Sequence, residues 1–248
     1  MFSFSNEFHC YGRSLLRILY PAACILCRLP LLLEETYLCS LCAQKIKPIQ
    51  APKCIRCAHP LPPYGIYKSL CSSCRSERAY YHRGFALVPY EEPVKKVFHQ
   101  IKFQKKIWLL KIFTEMLREV PNSIEFKNYD VMIPVPLDRK RRRERGFNQA
   151  SVIAQMLKRS SRKNSIKVWD LLRKRNTLPQ SQLRREERLH HLEGAFSLKK
   201  RGSVRGKQVL LVDDIFTTGS TINECAKILK QDGAERVDFF AIARSEFA

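Results

Sequence analysis

The chain has 248 residues, enough for one large domain or two smaller ones, and its 45% hydrophobic and 10% aromatic content excludes a disordered protein. A formal net charge of +22 excludes a neutral or acidic surface and favours polyanionic partners such as nucleic acid or an anionic membrane face. Between Arg139 and Arg205, 21 Lys and Arg stand against 5 Asp and Glu, so most of the excess lies in about a quarter of the chain.

In chain order, the apolar stretch Leu15 to Leu33 comes first, and Arg17, Pro21, Arg28 and Pro30 interrupt it. It falls short of the run of about 20 apolar residues that spans a bilayer, so an integral membrane protein is not expected. Ser14 to Tyr20 fits a short amphipathic helix. Eight of ten cysteines then form four C-x-x-C pairs: Cys24 and Cys27, Cys39 and Cys42, Cys54 and Cys57, Cys71 and Cys74. Two such knuckles supply four thiolates in a tetrahedron, so two structural Zn2+ ions are expected; consecutive and interleaved pairings both satisfy the spacing. A redox C-x-x-C would need a βαβ context that this segment lacks. The close pairing, with no secretory leader ahead of it, predicts a reducing, cytoplasmic setting. Little apolar periodicity runs through the segment, so metal is expected to supply most of its folding free energy. Cys10 and Cys225 lack such partners and read as ordinary thiols.

After Cys74, Tyr80, Tyr81, Phe85, Leu87 and Val88 alternate like a strand. Val94, Val97, Phe98 and Ile101 predict a core-facing helix, and Trp108, Ile112, Phe113, Met116 and Leu117 a second. Tyr129 to Val135 reads as a strand stopped by Pro134 and Pro136, and Phe147, Ala150, Ala154 and Leu157 as an amphipathic helix. Val209 to Val212 is a buried strand, Ile222, Cys225 and Leu229 share a helix face, and Val237 to Ile242 is a last strand. This alternation predicts an α/β fold with a parallel sheet.

The chemistry concentrates in Asp213, Asp214 and the turn Thr217, Thr218, Gly219, Ser220, Thr221. At the carboxyl end of a parallel strand, two carboxylates can accept hydrogen bonds from vicinal sugar hydroxyls. The small-residue turn and the helix start behind it can direct N–H groups and hydroxyls at a phosphate. Gly202 to Gln208 only superficially suggests a nucleotide-binding loop, because it precedes a strand instead of following one.

The run Val209 to Thr221 resembles the 5-phosphoribosyl 1-pyrophosphate (PRPP) signature of type I phosphoribosyltransferases, with Phe216 bulkier than the usual aliphatic residue. IPVPLDRKRRRERGFNQA at 133–150, RKRNTLPQSQLRREERLHHLEGAF at 173–196 and the cysteine module resemble the ComF family, with two departures, Ala58-His59 where glycine is common and His191 where asparagine is usual. The chain thus divides into an N-terminal amphipathic helix at 1–20 and, as the resemblance implies, a double zinc ribbon at 21–78 and a type I phosphoribosyltransferase-like domain at 79–248. The resemblance also implies a pyrophosphate loop at Pro134, Val135 and Pro136 with Arg145 beside it, a flap at Arg173 to Phe196, and Mg2+ arriving with PRPP. Arg145 to Gln149 equally suit a helix start. The function implied is competence-type uptake acting on single-stranded DNA in the cytoplasm, or at the inner face of its membrane, with a helicase and a membrane channel as partners and room for a homo-oligomer. The alternatives are an active phosphoribosyltransferase of unspecified acceptor and a PRPP-sensing regulator without turnover.

Overall fold

The computed structural model describes residues 22–63, 69–160, 166–175 and 194–245, the side chains of 121–123 excepted. The expected helix at 14–20, Cys10, His191 and most of the expected flap fall outside them.

The described strands are β1 (Gly84–Pro89), β2 (Val131–Pro134), β3 (Lys167–Val168), β4 (Leu172–Lys174), β5 (Phe196–Leu198), β6 (Gln208–Phe216) and β7 (Arg236–Arg244). Five form a wholly parallel sheet in the order β1-β7-β6-β2-β3, while β4 and β5 pair as a separate antiparallel hairpin. Val209 to Val212 are buried on both faces because β6 lies between β7 and β2, as an uninterrupted apolar run requires. Alternation sends Leu210 and Val212 into one core cluster and Val209 and Leu211 into the other.

Two short helices, α1 (Ser40–Ala43) and α2 (Ser72–Ser76), carry the closing cysteines of the two ribbons. Helix α3 (Val94–Phe103) buries Val94, Val97, Phe98 and Ile101, as its spacing predicts. The second predicted helix is divided: a 3-10 segment, Ile107–Phe113, leads into α4 (Thr114–Ser123). The tighter winding turns Leu109, Leu110 and Phe113 inward and leaves Trp108 41% exposed against the Tyr37 ring, so Trp108 does not face the core as expected. Sequence periodicity also missed α5 (Arg139–Arg145), which has no buried residue. Asp138 caps it, its Oδ1 accepting from the Arg141 N–H at 2.8 Å, and Gly146 ends it at φ 80°. Helices α6 (Gln149–Ser160) and α7 (Ser220–Gln231) follow, on opposite faces of the sheet.

The ribbons grip the β1 edge. Ile49 N–H donates to Leu87 O at 2.7 Å and Gly84 N–H to Ile55 O at 3.0 Å, covering an otherwise open sheet edge. Cys24, Cys39 and Cys42 of the first ribbon join the core cluster of α3, α4 and α6, whereas all four cysteines of the second join the cluster of α7. At Gly84 a Cβ would lie 2.4 Å from Arg56 O and 2.3 Å from the Phe239 ring, so only glycine permits the second ribbon to approach this closely.

Candidate functional site

The thiols settle the pairing that spacing left open. Cys24, Cys27, Cys39 and Cys42 form one cluster and Cys54, Cys57, Cys71 and Cys74 the other, so the pairing is consecutive, with the sulfurs of each set within 4.8 Å of one another. Cys27 Sγ lies 3.6 Å from Cys39 Sγ, and Cys57 Sγ 3.7 Å from Cys71 Sγ. Zinc–sulfur bonds of about 2.3 Å in a tetrahedron require sulfur separations of about 3.8 Å, so both clusters fit Zn2+. Hydrogen bonding from Cys57 and Cys74 holds the Cys54 thiol well below its usual range, and the same contacts push Cys74 up; zinc would displace the remaining protons.

The second site lies where the chain's connections diverge. From β2 the chain passes outward to β3, and from β6 it passes the other way to β7, so the carboxyl ends of β2 and β6 flank the switch point of the sheet. The two segments singled out in the sequence meet there. Val135 N–H still donates to Val212 O at 2.8 Å, placing Pro134 to Pro136 beside the start of Asp213-Asp214. Asn148 donates from Nδ2 to Val135 O at 3.0 Å and accepts the Ala150 N–H at 3.1 Å, so it steadies this loop and starts α6 at once. Gln149 is 1% exposed, and its side-chain nitrogen has no partner among the described residues.

Strand alternation separates the acids. Asp213 follows Leu211 toward the α7 face and its Oδ1 accepts the Asp214 N–H at 2.8 Å, while Asp214 follows Val212 toward α3. Burial, and then the charge of Asp214, push Asp213 up to about 8, against the pull of Lys102 and Lys174. Lys102 Nζ lies 2.9 Å from Asp214 Oδ2. Arg145 and Lys174 are half-buried cations whose pKa values burial lowers, with Asp214 opposing that shift in Arg145 and Asp138 and Asp213 among the groups opposing it in Lys174.

The turn after β6 is built for close approach. Gly219 has φ 81°, and a Cβ there would sit 2.8 Å from the Phe216 ring and 3.2 Å from the Tyr81 hydroxyl. Phe216, the bulky departure in the signature, stacks on Phe239 at 4.5 Å, and Tyr81 meets both rings edge-on. Thr217 and Thr218 are exposed, and Thr218 Oγ1 lies 2.9 Å from Ser220 Oγ at the head of α7. The turn thus offers hydroxyls and a helix N-terminus to an anion over an aromatic base.

Sequence reasoning did not find Lys102, Lys174 or Tyr81 as site residues. Lys102 carried one legible signal, a cation four residues after Phe98 on the buried face of a helix. Lys174 lines a cleft of about 510 Å³ with Arg139, Arg142, Arg173, Arg175 and Lys199. A neighbouring cleft of about 570 Å³ shares Arg173 and Arg175 and adds Arg201. Together they form a basic trough along the β4–β5 hairpin.

Residues 15–75 match the double zinc ribbon domain and residues 113–246 the phosphoribosyl transferase domain. Competence protein F of Haemophilus influenzae is 31% identical over 231 residues, covering 90% of this chain and 96% of that protein. DNA utilization protein YhgH of Escherichia coli K12 is 29% identical over 233 residues, 91% of this chain and 98% of its own. Competence protein ComFC of Bacillus subtilis is 28% identical over 222 residues, 87% of each. With both domains in this order and relatives aligned over nearly their whole length, the chain belongs to the ComF family, a double zinc ribbon joined to a phosphoribosyltransferase-like domain.

Proposed function

We propose that the chain binds PRPP at the β2–β6 crevice and acts on incoming single-stranded DNA during DNA uptake, in the cytoplasm or at the inner face of its membrane. One observation carries the reading: the acid pair, the Gly219 turn and the Pro134–Pro136 loop converge at one switch point, with Lys174 connecting them to a basic trough. In this reading the Thr217–Thr221 turn takes the 5-phosphate, Asp213 and Asp214 take the ribose hydroxyls, and Val135, Pro136 and Arg145 border the diphosphate. Mg2+ would arrive with the diphosphate whose charge it shares. The names of the relatives support a DNA-uptake role, and among the described residues no helix is long and apolar enough to cross a membrane. A helicase and a membrane channel are the partners that such a role calls for.

The test is calorimetric titration of the zinc-loaded protein with PRPP and Mg2+, beside an Asp213→Ala, Asp214→Ala double variant. Wild type binds and the double variant does not. Because an ionised Asp213 accepts hydroxyl hydrogen bonds more strongly and through both oxygens, affinity rises as pH climbs through about 8. No binding by folded wild type refutes the reading.

A working transferase is the second reading, favoured by half-buried Arg145 and Lys174, which suit the charge that builds on a departing diphosphate. PRPP-dependent release of pyrophosphate, lost in the same double variant, distinguishes it from a sensor that binds without turnover.

A further inference from the structure

We propose that Lys102 sets ligand specificity at this site: it occupies Asp214 until a ligand carrying a diphosphate at the ribose C1 draws it away. The inference rests on the phosphoribosyl reading and deepens it.

Lys102 comes from α3, between the stretches 15–75 and 113–246, so neither matched domain accounts for it. Its side chain and that of Asp214 are 21% and 13% exposed, so the pair is largely withdrawn from water. The ammonium lies 5.7 Å from the centroid of the Phe98 ring, and Phe98 is fully buried and stacked on Phe113. This packing aims the lysine at the carboxyl end of β6. Arg145 and Lys174 approach the same two acids from other elements, so three cations face the two carboxylates, with Arg141, Asp138 and Glu144 around them. Cations converging on the acid pair can turn to an anionic ligand, which a neutral one cannot exploit.

Lys102 takes one acceptor site of Asp214 Oδ2, so the carboxylate offers its full acceptor capacity to vicinal ribose hydroxyls only after Lys102 leaves. Removing an ammonium from a carboxylate this poorly hydrated is costly unless another anion receives it. A ribose 5-phosphate supplies a phosphate to the turn at 217–221 but nothing for Lys102. A C1 diphosphate supplies the replacement partner, and the flexible four-carbon stem of lysine lets the charge follow it. Lys102 thereby penalises sugar phosphates that lack the reactive diphosphate, discrimination achieved by an interaction that the wrong ligand cannot replace.

The experiment is calorimetry on the full zinc-loaded chain with PRPP and, separately, ribose 5-phosphate, each with Mg2+, for wild type, Lys102→Met and Lys102→Arg, with thermal melts to confirm folding. In Lys102→Met, PRPP affinity falls about tenfold or more while ribose 5-phosphate binds more tightly, and Lys102→Arg restores most of the wild-type preference. A folded Lys102→Met protein that keeps the wild-type ratio of the two affinities, or loses both ligands in parallel, overturns the proposal. Wild type that binds neither ligand overturns the phosphoribosyl reading itself, a different outcome from either.

Discussion

Each ribbon's leading knuckle ends in a left-handed residue, Arg28 at φ 67° and Ala58 at φ 58°, placed directly after the second cysteine. The geometry is forced by the turn: Arg28 N–H donates to Cys24 O at 2.9 Å and Ala58 N–H to Cys54 O at 2.8 Å, so the backbone reverses around the thiol cluster. A Cβ in this region costs about 1 kcal/mol. Arg28 is exposed and loses little else on truncation, so Arg28→Gly raises stability by about 1 kcal/mol in denaturant unfolding of the zinc-loaded protein. Ala58 is 0% exposed, and losing its buried methyl offsets the relief by a similar amount, so Ala58→Gly changes stability little. A gain at Ala58 as large as at Arg28 would show that the methyl contributes nothing. At this scale the sequence was informative, since glycine is the residue such a turn favours and its absence at 58 was visible. Lys102 was harder to see, because its partner lies 112 positions later and only the fold brings the two together.

The second ribbon is tied to the sheet by elements that the sequence treats as unrelated. Arg244, at the end of β7, is 1% exposed, donates from Nε to Cys57 O at 2.9 Å and places Nη2 3.7 Å from Cys57 Sγ. Its charge lowers the Cys57 pKa, against the larger raising effect of Cys54, and so stabilises the thiolate that zinc requires. Truncating one member of such a buried pair costs about 3 kcal/mol or more. Arg244→Met therefore lowers the unfolding free energy by about that amount, and a chelator with a zinc-sensitive dye detects faster release from the second cluster than from the first. Equal release from both clusters at the wild-type rate would reduce Arg244 to a packing residue. The helices and strands with apolar periodicity, α3, α6, β6, α7 and β7, were legible because each buries one face or both. Helix α5, β3 and the β4–β5 hairpin were not, because α5 buries nothing and the strands are two or three residues long.

Among the described residues, a basic trough adjoins the switch point at Lys174. The basic run of the sequence places Arg139 and Arg142 of α5 opposite Arg173, Lys174, Arg175 and Lys199 of the hairpin, and the neighbouring cleft continues the trough past Arg201. Asp170, the acid in the first cleft, is neutralised by Lys199 at 2.6 Å. Composition alone revealed the density of charge, but not that residues about 30 positions apart would line one path. A trough of this kind contacts phosphates without reading bases, so affinity for single-stranded DNA should fall steeply with salt, by about 0.7 in logarithmic slope for each phosphate contact. Replacing Arg173, Arg175 and Arg201 by Gln removes three such contacts. Fluorescence anisotropy with a labelled oligonucleotide should then give a slope shallower by about 2, with weaker binding across unrelated sequences. A wild-type slope near zero would exclude the trough as a nucleic-acid path. An unchanged slope in the triple variant would move that path to the remaining basic surface and separate it from the phosphoribosyl crevice that Lys174 adjoins.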